Sequence, residues 1–328
     1  MAKLRRNYES NSSDVSVNVR IFIFAVILIG LLYFGWDYLI QYTGSGEGKQ
    51  IILKTTEGAV NPQIDSNDPR NSNNTKPQQE AGSQVFDEAR PWLPSSTSGT
   101  IINHTYYSLS YVEAFEQAEW VAYPLSQEIL RKPNVPRTDY FFDDPLIPSQ
   151  SATFYDYKGS GYTKGHLAPA ADMAFDTLAM RESFYMSNMS PQLRAFNNGI
   201  WRELEEQTRD WVYHNNAVYI VSGPVLDQSV KMSKKGVGIP NEFFKIILDI
   251  DGPEKKAIAF LLPHVVSDRP LQDFAVTIDV LEARTGINFF PHLMDQNLEA
   301  KIEAELDVAK WKFSDARYQL RVKRWNFE

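Results

Sequence analysis

Apolar and polar positions divide this chain into stretches of different character. Residues 1–20 are polar and carry Lys3, Arg5, Arg6 and Arg20, and residues 21–36 (IFIFAVILIGLLYFGW) are then apolar without a break. With Leu39 and Ile40 following Asp37 and Tyr38, the apolar span approaches the roughly 20 residues needed to cross a bilayer. Asp37 stands near one end, where it can reach the headgroup region, and Tyr33, Trp36, Tyr38 and Tyr42 suit an interfacial belt. The alternative is a cleaved signal peptide, but that wants a short apolar region followed by small residues, where this chain has Trp, Asp and Tyr. The expectation is an uncleaved, single-pass transmembrane anchor over residues 21–42. Its basic flank places residues 1–20 in the cytoplasm and sends the rest to the periplasmic or extracellular side of the membrane.

Residues 43–98 are rich in Gly, Ser, Asn, Gln, Pro and charge, with no sustained apolar period beyond a short run at 51–53. Such a segment buries no core and reads as a flexible polar linker. From residue 99 the pattern changes. Residues 101–112 and 118–123 are β-branched and aromatic and predict strands, 125–131 a helical turn or two, and the proline-broken stretch 132–160 a loop. The runs AVYIVSGPVL, EFFKIILDI and AIAFLLPHVV predict three further strands, with turns at Gly223-Pro224 and at 251–253. Residues 273–283 and 298–311 predict helices. Strands and helices mix without a βαβ repeat, so the domain at 99–328 is expected to be α+β.

Composition narrows the chemistry. The chain has 328 residues, 43% of them hydrophobic, which is ample for one sizeable core. A net charge of −8 and a pI near 5.3 do not announce a nucleic-acid partner, so any basic surface must be local. The absence of cysteine excludes disulfides, thiolate nucleophiles and Cys-based zinc sites together.

The stretch from Gly161 to Arg209 concentrates the chemistry-bearing residues. His166 follows Gly165, and a neutral imidazole suits a general base. Asn188 lies in a turn-like SNMSPQ. Asn197, Trp201, Glu205 and Arg209 recur every four residues, which places them along one side of a helix. Each has an ordinary alternative: a structural histidine, an N-cap for Asn197, a solvated charge for Glu205, and for Arg209 an i+4 partner to Glu205. Trp201 reads as core. Against those alternatives, an amide oxygen is a suitable hard ligand for Mg²⁺, Glu205 can ligate or hold its waters, and Lys164 can neutralise a phosphate oxygen. Together they fit metal-assisted attack on a phosphodiester.

The segments GHLAPAADM, SNMSPQ and FNNGIWRELE, with HTYYSLSY upstream and VYIVSGPV downstream, strongly resemble the DNA/RNA non-specific endonuclease family across about residues 100–270. The resemblance implies a ββα-metal nuclease domain with a mixed or antiparallel sheet and flanking helices. It implies His166 as general base, Asn197 as the direct protein ligand of Mg²⁺ (or of Mn²⁺ or another divalent cation), and Glu205 as holder of the metal's water shell. It also implies Arg209 as a cation near the leaving group, Asn188 as an amide that orients the site, and Arg137 as an upstream phosphate-binding arginine. The implied reaction is hydrolysis of DNA and RNA to 5′-phosphate ends.

One departure stands out. The family pattern Asp-Arg-Gly-His is here Thr163-Lys164-Gly165-His166. Lysine keeps the charge but loses the planar two-pronged donor, and Thr163 loses a carboxylate. The expectation is retained activity, with weakening the direction of any change. Two other readings stay open: a catalytically weakened, membrane-tethered nucleic-acid-binding domain of the same fold, and a hydrolase acting on another phosphodiester. A homodimer is admitted among the partners.

Overall fold

The computed structural model describes residues 87–95 and 98–328. The tail at 1–20, the span at 21–42 and most of the linker lie outside the described residues, among which no helix is long and apolar enough to cross a membrane. Packed structure begins before residue 99, where the linker was expected to end. Arg90 Nη2 donates to the His104 carbonyl at 2.6 Å, and Leu93 is buried.

The main sheet holds β1 (Thr100–Asn103), β2 (Ser108–Val112), β3 (Gln117–Ser126), β6 (Ala217–Pro224), β9 (Glu242–Asp249), β10 (Lys256–Pro263) and β11 (Ala275–Val276). They are hydrogen-bonded in that order, and every neighbouring pair is antiparallel. Two small pairs stand apart: β4 (Thr163–His166) with β5 (Met189–Gln192), and β7 (Lys231–Met232) with β8 (Gly238–Ile239). The helices are α1 (Gln127–Arg131), α2 (Phe154–Tyr157), α3 (Thr177–Ser183), α4 (Arg202–Asn215), α5 (Ile278–Thr285), α6 (Gln296–Ala304) and α7 (Asp315–Lys323).

The two-residue period of the strands sorts their side chains into two cores. On β9, Phe243 and Ile247 join one core while Phe244, Ile246 and Leu248 join the other. The first core is completed by Leu204, Trp211 and Val212 of α4 and by Leu167 just beyond β4. The second is completed by Ile278 and Leu281 of α5, Ile302 of α6, and Phe289 and Phe290 between them. The sheet is therefore buried on both faces, and the expected α+β class is antiparallel throughout the main sheet.

Several boundaries differ from the sequence reading. The run 101–112 is two strands, because His104 N–H donates to Tyr107 O at 2.9 Å and closes a turn. Residues 273–283 are not one helix: Ala275 and Val276 pair with Phe260 and Ala259 of β10, and α5 starts only after Thr277, whose side chain accepts from Val280 N–H. The expected helix at 298–311 spans Gln296–Ala304, capped by Asp295, with a separate turn at Val308–Lys310. Gly223-Pro224 is not a turn. Both residues continue β6 opposite Phe244 and Phe243.

Gly223 is glycine because of that position. A Cβ there would lie well inside 3.0 Å of the Glu119 carbonyl oxygen and against the Phe244 ring, and backbone cannot yield as a side-chain tip does. Gly223→Ala is expected to cost about 1–3 kcal/mol, read as a lowered urea midpoint. An unchanged midpoint would show that β3 and β6 do not approach this closely.

Candidate active site

Pairing of β4 with β5 sets Thr163 opposite Gln192 and His166 opposite Met189. SNMSPQ is thus not simply a turn: its last four residues are β5. A short helical turn, Arg194–Phe196, then runs into a π turn at Asn197–Trp201 and on into α4. Asn197 is not an N-cap. Its φ and ψ of −60° and −51° are helical, and its N–H already donates to Leu193 O at 2.9 Å. The turn widens at Gly199 (φ −93°, ψ −110°), where a side chain would run into Asn326. This widening interrupts the four-residue repeat read from Asn197 to Arg209.

Two strands and a helix so joined converge on a cavity of about 230 Å³ whose lining includes Arg137, Lys164, His166, Asn197, Arg202 and Glu205. Five of the seven residues singled out in the sequence meet there. Asn188 and Arg209 do not line it. Asn188 is fully buried, and its amide is spent on backbone: Oδ1 accepts from Ala168 N–H at 2.9 Å, while Nδ2 donates to Ala168 O and Ser183 O. It clamps the strand exit beyond His166 and cannot itself reach a substrate. Trp201, buried as expected, adds a second clamp by donating from Nε1 to His166 O at 3.1 Å.

His166 is half-buried, edge-on to Phe184 with ring centroids 4.8 Å apart. Its Nε2 is shut off from water and has no hydrogen-bond partner among the described residues, so Nδ1 is the nitrogen open to the cavity. Burial, followed by the nearby positive charges of Arg137 and Lys164, pushes its pKa down from 6.5 to about 3. The imidazole is therefore neutral at physiological pH.

Asn197 Nδ2 donates to Thr163 Oγ1 at 3.0 Å, and Thr163 Oγ1 donates in turn to Gln192 O at 2.9 Å. With Nδ2 held, Oδ1 is the atom left to face the cavity. Thr163 thus holds the amide from the adjacent strand. Lys164 lies over two aromatic rings, 4.6 Å from the centroid of Phe141 and 4.4 Å from that of Phe154, and burial lowers its pKa. These rings restrict a side chain that would otherwise sample many rotamers.

Glu205 is pushed up to about 7 by burial, against the attraction of Lys245 and Arg209. The Glu205–Arg209 ion pair, the ordinary alternative for Arg209, is absent among the described residues. Arg209 Nη1 instead bonds Asp172 Oδ1 at 2.8 Å, and Tyr123 Oη donates to Asp172 Oδ2 at 2.8 Å. The Asp172 carboxylate lies nearer than Glu205 and takes the guanidinium, whose side chain is only 20% exposed.

Sequence reasoning passed over Lys245, Asp172 and Arg202. Lys245 had a signal, since a charge at the same register as Phe243 and Ile247 must point into a core. It is buried, with Nζ 5.0 Å from the Trp201 ring centroid. Asp172 stood within GHLAPAADM without being singled out. Arg202 had only its place one turn after the amides.

Comparison with known proteins agrees with this architecture. Residues 88–296 match the profile of the DNA/RNA non-specific endonuclease family. Mitochondrial nuclease EXOG of Xenopus laevis is 36% identical over 222 residues, covering 61% of this chain and 60% of that protein. Human mitochondrial endonuclease G is 32% identical over 203 residues, 57% of this chain and 68% of that protein. A crystal structure of an EndoG/EndoGI complex aligns with a TM-score of 0.55 and 27% identity, covering 60% of this chain and 87% of that one. The chain thus spans about 60% of the length of the Xenopus relative. With a profile match over most of the chain, on a fold that joins two strands and a helix around one polar cavity, this protein belongs to the DNA/RNA non-specific endonuclease family.

Proposed function

We propose that this chain is a divalent-metal-dependent endonuclease that hydrolyses phosphodiester bonds in DNA and RNA. One observation carries the reading: a neutral His166 with Nδ1 open, the uncommitted Oδ1 of Asn197 and the Glu205 carboxylate line the same polar cavity. The donor set fits a hard cation, since it offers an amide oxygen and a carboxylate without sulfur or a second imidazole. Mg²⁺ suits it, with Mn²⁺ as a substitute, and when bound would supply positive charge where negative charge develops on the phosphoryl oxygens and the departing oxygen.

The chain's own residues do the rest. His166 Nδ1 accepts a proton from water, Nε2 carrying the hydrogen of the neutral ring. Arg137 and Lys164 hold phosphate oxygens. The single negative charge of a phosphodiester between them offsets part of that positive charge, and so raises the imidazole's proton affinity as substrate arrives. Trp201 and Asn188 fix the backbone at the base and two residues beyond it, and the Asp172–Arg209 pair gives α4 a cation beneath Glu205. Contacts of this kind read phosphate rather than base, so both polymers should be cut with little sequence preference. Thr163 and Lys164 have defined structural work in place of Asp and Arg, which favours an active site over the weakened binding domain.

We further propose the membrane anchor, which rests on the apolar run at residues 21–42 alone. The full chain should stay in the membrane pellet after an alkaline carbonate wash, and lose that retention when 21–42 are deleted. Release of the intact chain would overturn it.

The full chain should nick supercoiled plasmid and cut single-stranded RNA with Mg²⁺, and fail with EDTA, His166→Ala or Asn197→Ala. No cutting by folded wild-type protein would refute the reading. Thr163→Val should weaken the apparent affinity for Mg²⁺ by about 10–100-fold through loss of the Asn197 support, while Thr163→Ser retains it. Equal metal dependence in both variants would remove Thr163 from the site.

A pH dependence follows from His166, whose pKa is lower in the folded state. Above the ordinary value of 6.5 both states are neutral and the group contributes nothing. Below it the unfolded chain takes a proton that the folded site refuses, so stability falls until the pH nears about 3. Urea midpoints should decline less from about pH 7 to about pH 4.5 in His166→Gln than in wild type. Parallel curves would show an ordinary histidine.

A further inference from the structure

A second cleft, away from the cavity already described, has walls made of the turn at 156–160 and the hairpin of β7 and β8. Its volume is about 460 Å³, twice that of the site, and it is lined by Lys158, Lys234 and Lys235 together with Ser160 and Ser233. All three lysines are exposed, and none has a carboxylate partner among the described residues. The single acid in the lining, Asp156, is spent locally: its Oδ2 accepts from Thr153 N–H at 2.8 Å and Thr153 Oγ1 at 2.7 Å. Gly159 and Gly236 take positive φ values of 76° and 88° with open space beside them, so no side chain crowds either tip.

The cleft is mounted rigidly on the active-site strands. Val237 of the hairpin packs in one buried cluster with Tyr157, Met186 and Met189, and Tyr157 Oη donates to Met189 O at 3.1 Å. Gln117 joins the hairpin to β5, donating from Nε2 to Gly238 O at 2.8 Å and accepting from Ser190 Oγ at 2.6 Å. One helical turn, α2, borders both sites: Phe154 at its start lies under Lys164, and Lys158 follows its end.

We propose that this cleft holds the sugar-phosphate backbone of the substrate polymer several nucleotides from the bond being cut. The proposal rests on the nuclease reading above and extends it to substrate length. A bracket joining unpaired cations to β5, the strand paired with the one that carries His166 and Thr163, suits a continuous polyanion lying across both sites. It explains how a chain of net charge −8 can hold nucleic acid, since the needed charge is concentrated along one path. An anionic lipid surface would be drawn to the same lysines but gains nothing from their fixed relation to β4 and β5.

The test compares the full chain with its Lys158→Gln/Lys234→Gln/Lys235→Gln variant and a charge-retaining Lys→Arg triple, in EDTA. The probe is labelled single-stranded DNA of about 30 nucleotides, with affinity followed against salt. In the Gln triple the slope of log Kd against log salt should fall by about 2, at roughly 0.7 for each phosphate no longer neutralised, while the Arg triple keeps the wild-type slope. With Mg²⁺, cleavage of a dinucleotide should be equal in all three proteins, and long strands should be cut less efficiently by the Gln triple alone. Identical slopes in wild type and the Gln triple would overturn the proposal, as would unchanged DNA binding with lost binding to phosphatidylserine vesicles. If instead the wild type cuts neither length, the nuclease reading itself has failed.

Discussion

The register between β4 and β5 is the constraint on which the candidate site depends. It sets His166 opposite Met189 and Thr163 opposite Gln192. Because strand side chains alternate in direction, Lys164 and His166 share the face that lines the cavity, and a one-residue slip would turn both away from it. The register is held from several sides: Asn188 ties to Ala168, Thr163 to Gln192, and Ser222 of the main sheet donates to Leu167 O at 2.7 Å. Each bond is modest alone, about 0.5–1.5 kcal/mol net, but they share one geometry and reinforce it. The helix that follows inherits that position.

Beneath the cavity lies a set of buried charges that a stability argument alone would not explain. Burial opposes charge on Glu205 and Lys245, and these two, with Arg209, shift one another's proton affinity beside the Asp172 carboxylate. Apolar replacements of similar volume would often be no less stable. Their retention makes sense where a carboxylate must stay ready for a cation and positive charge must stay close to phosphate. The departure at Thr163 and Lys164 is absorbed in the same way. A hydroxyl steadies Asn197, and two aromatic rings steady the lysine.

Much of this was legible in the sequence because it is local. Apolar, β-branched runs marked β6, β9 and β10, and the close spacing of the motifs grouped Lys164, His166, Asn197 and Glu205, which share one cavity with Arg137, a residue drawn only from the resemblance. What was not legible depends on neighbours distant along the chain. Arg209 reads as partner to Glu205 by helical spacing, yet Asp172, 37 residues away, takes it. Asn188 reads as a site amide, but the carbonyls that consume it belong to Ala168 and Ser183. Gly223-Pro224 reads as a turn until the pairing of β6 with β9 is seen. The π turn at Gly199 leaves no mark in hydrophobic spacing, and the Asn326 side chain that leaves no room for a Cβ there lies far along the chain.

The central claim is that β4, β5 and the π-turned helix together make one cation site from Asn197 and Glu205. Electron paramagnetic resonance of Mn²⁺ titrated into the full chain tests it without recourse to activity. The account predicts one bound ion per chain, and loss of that binding in Asn197→Ala while the fold is retained. Binding of equal stoichiometry and affinity in wild type and Asn197→Ala would contradict it.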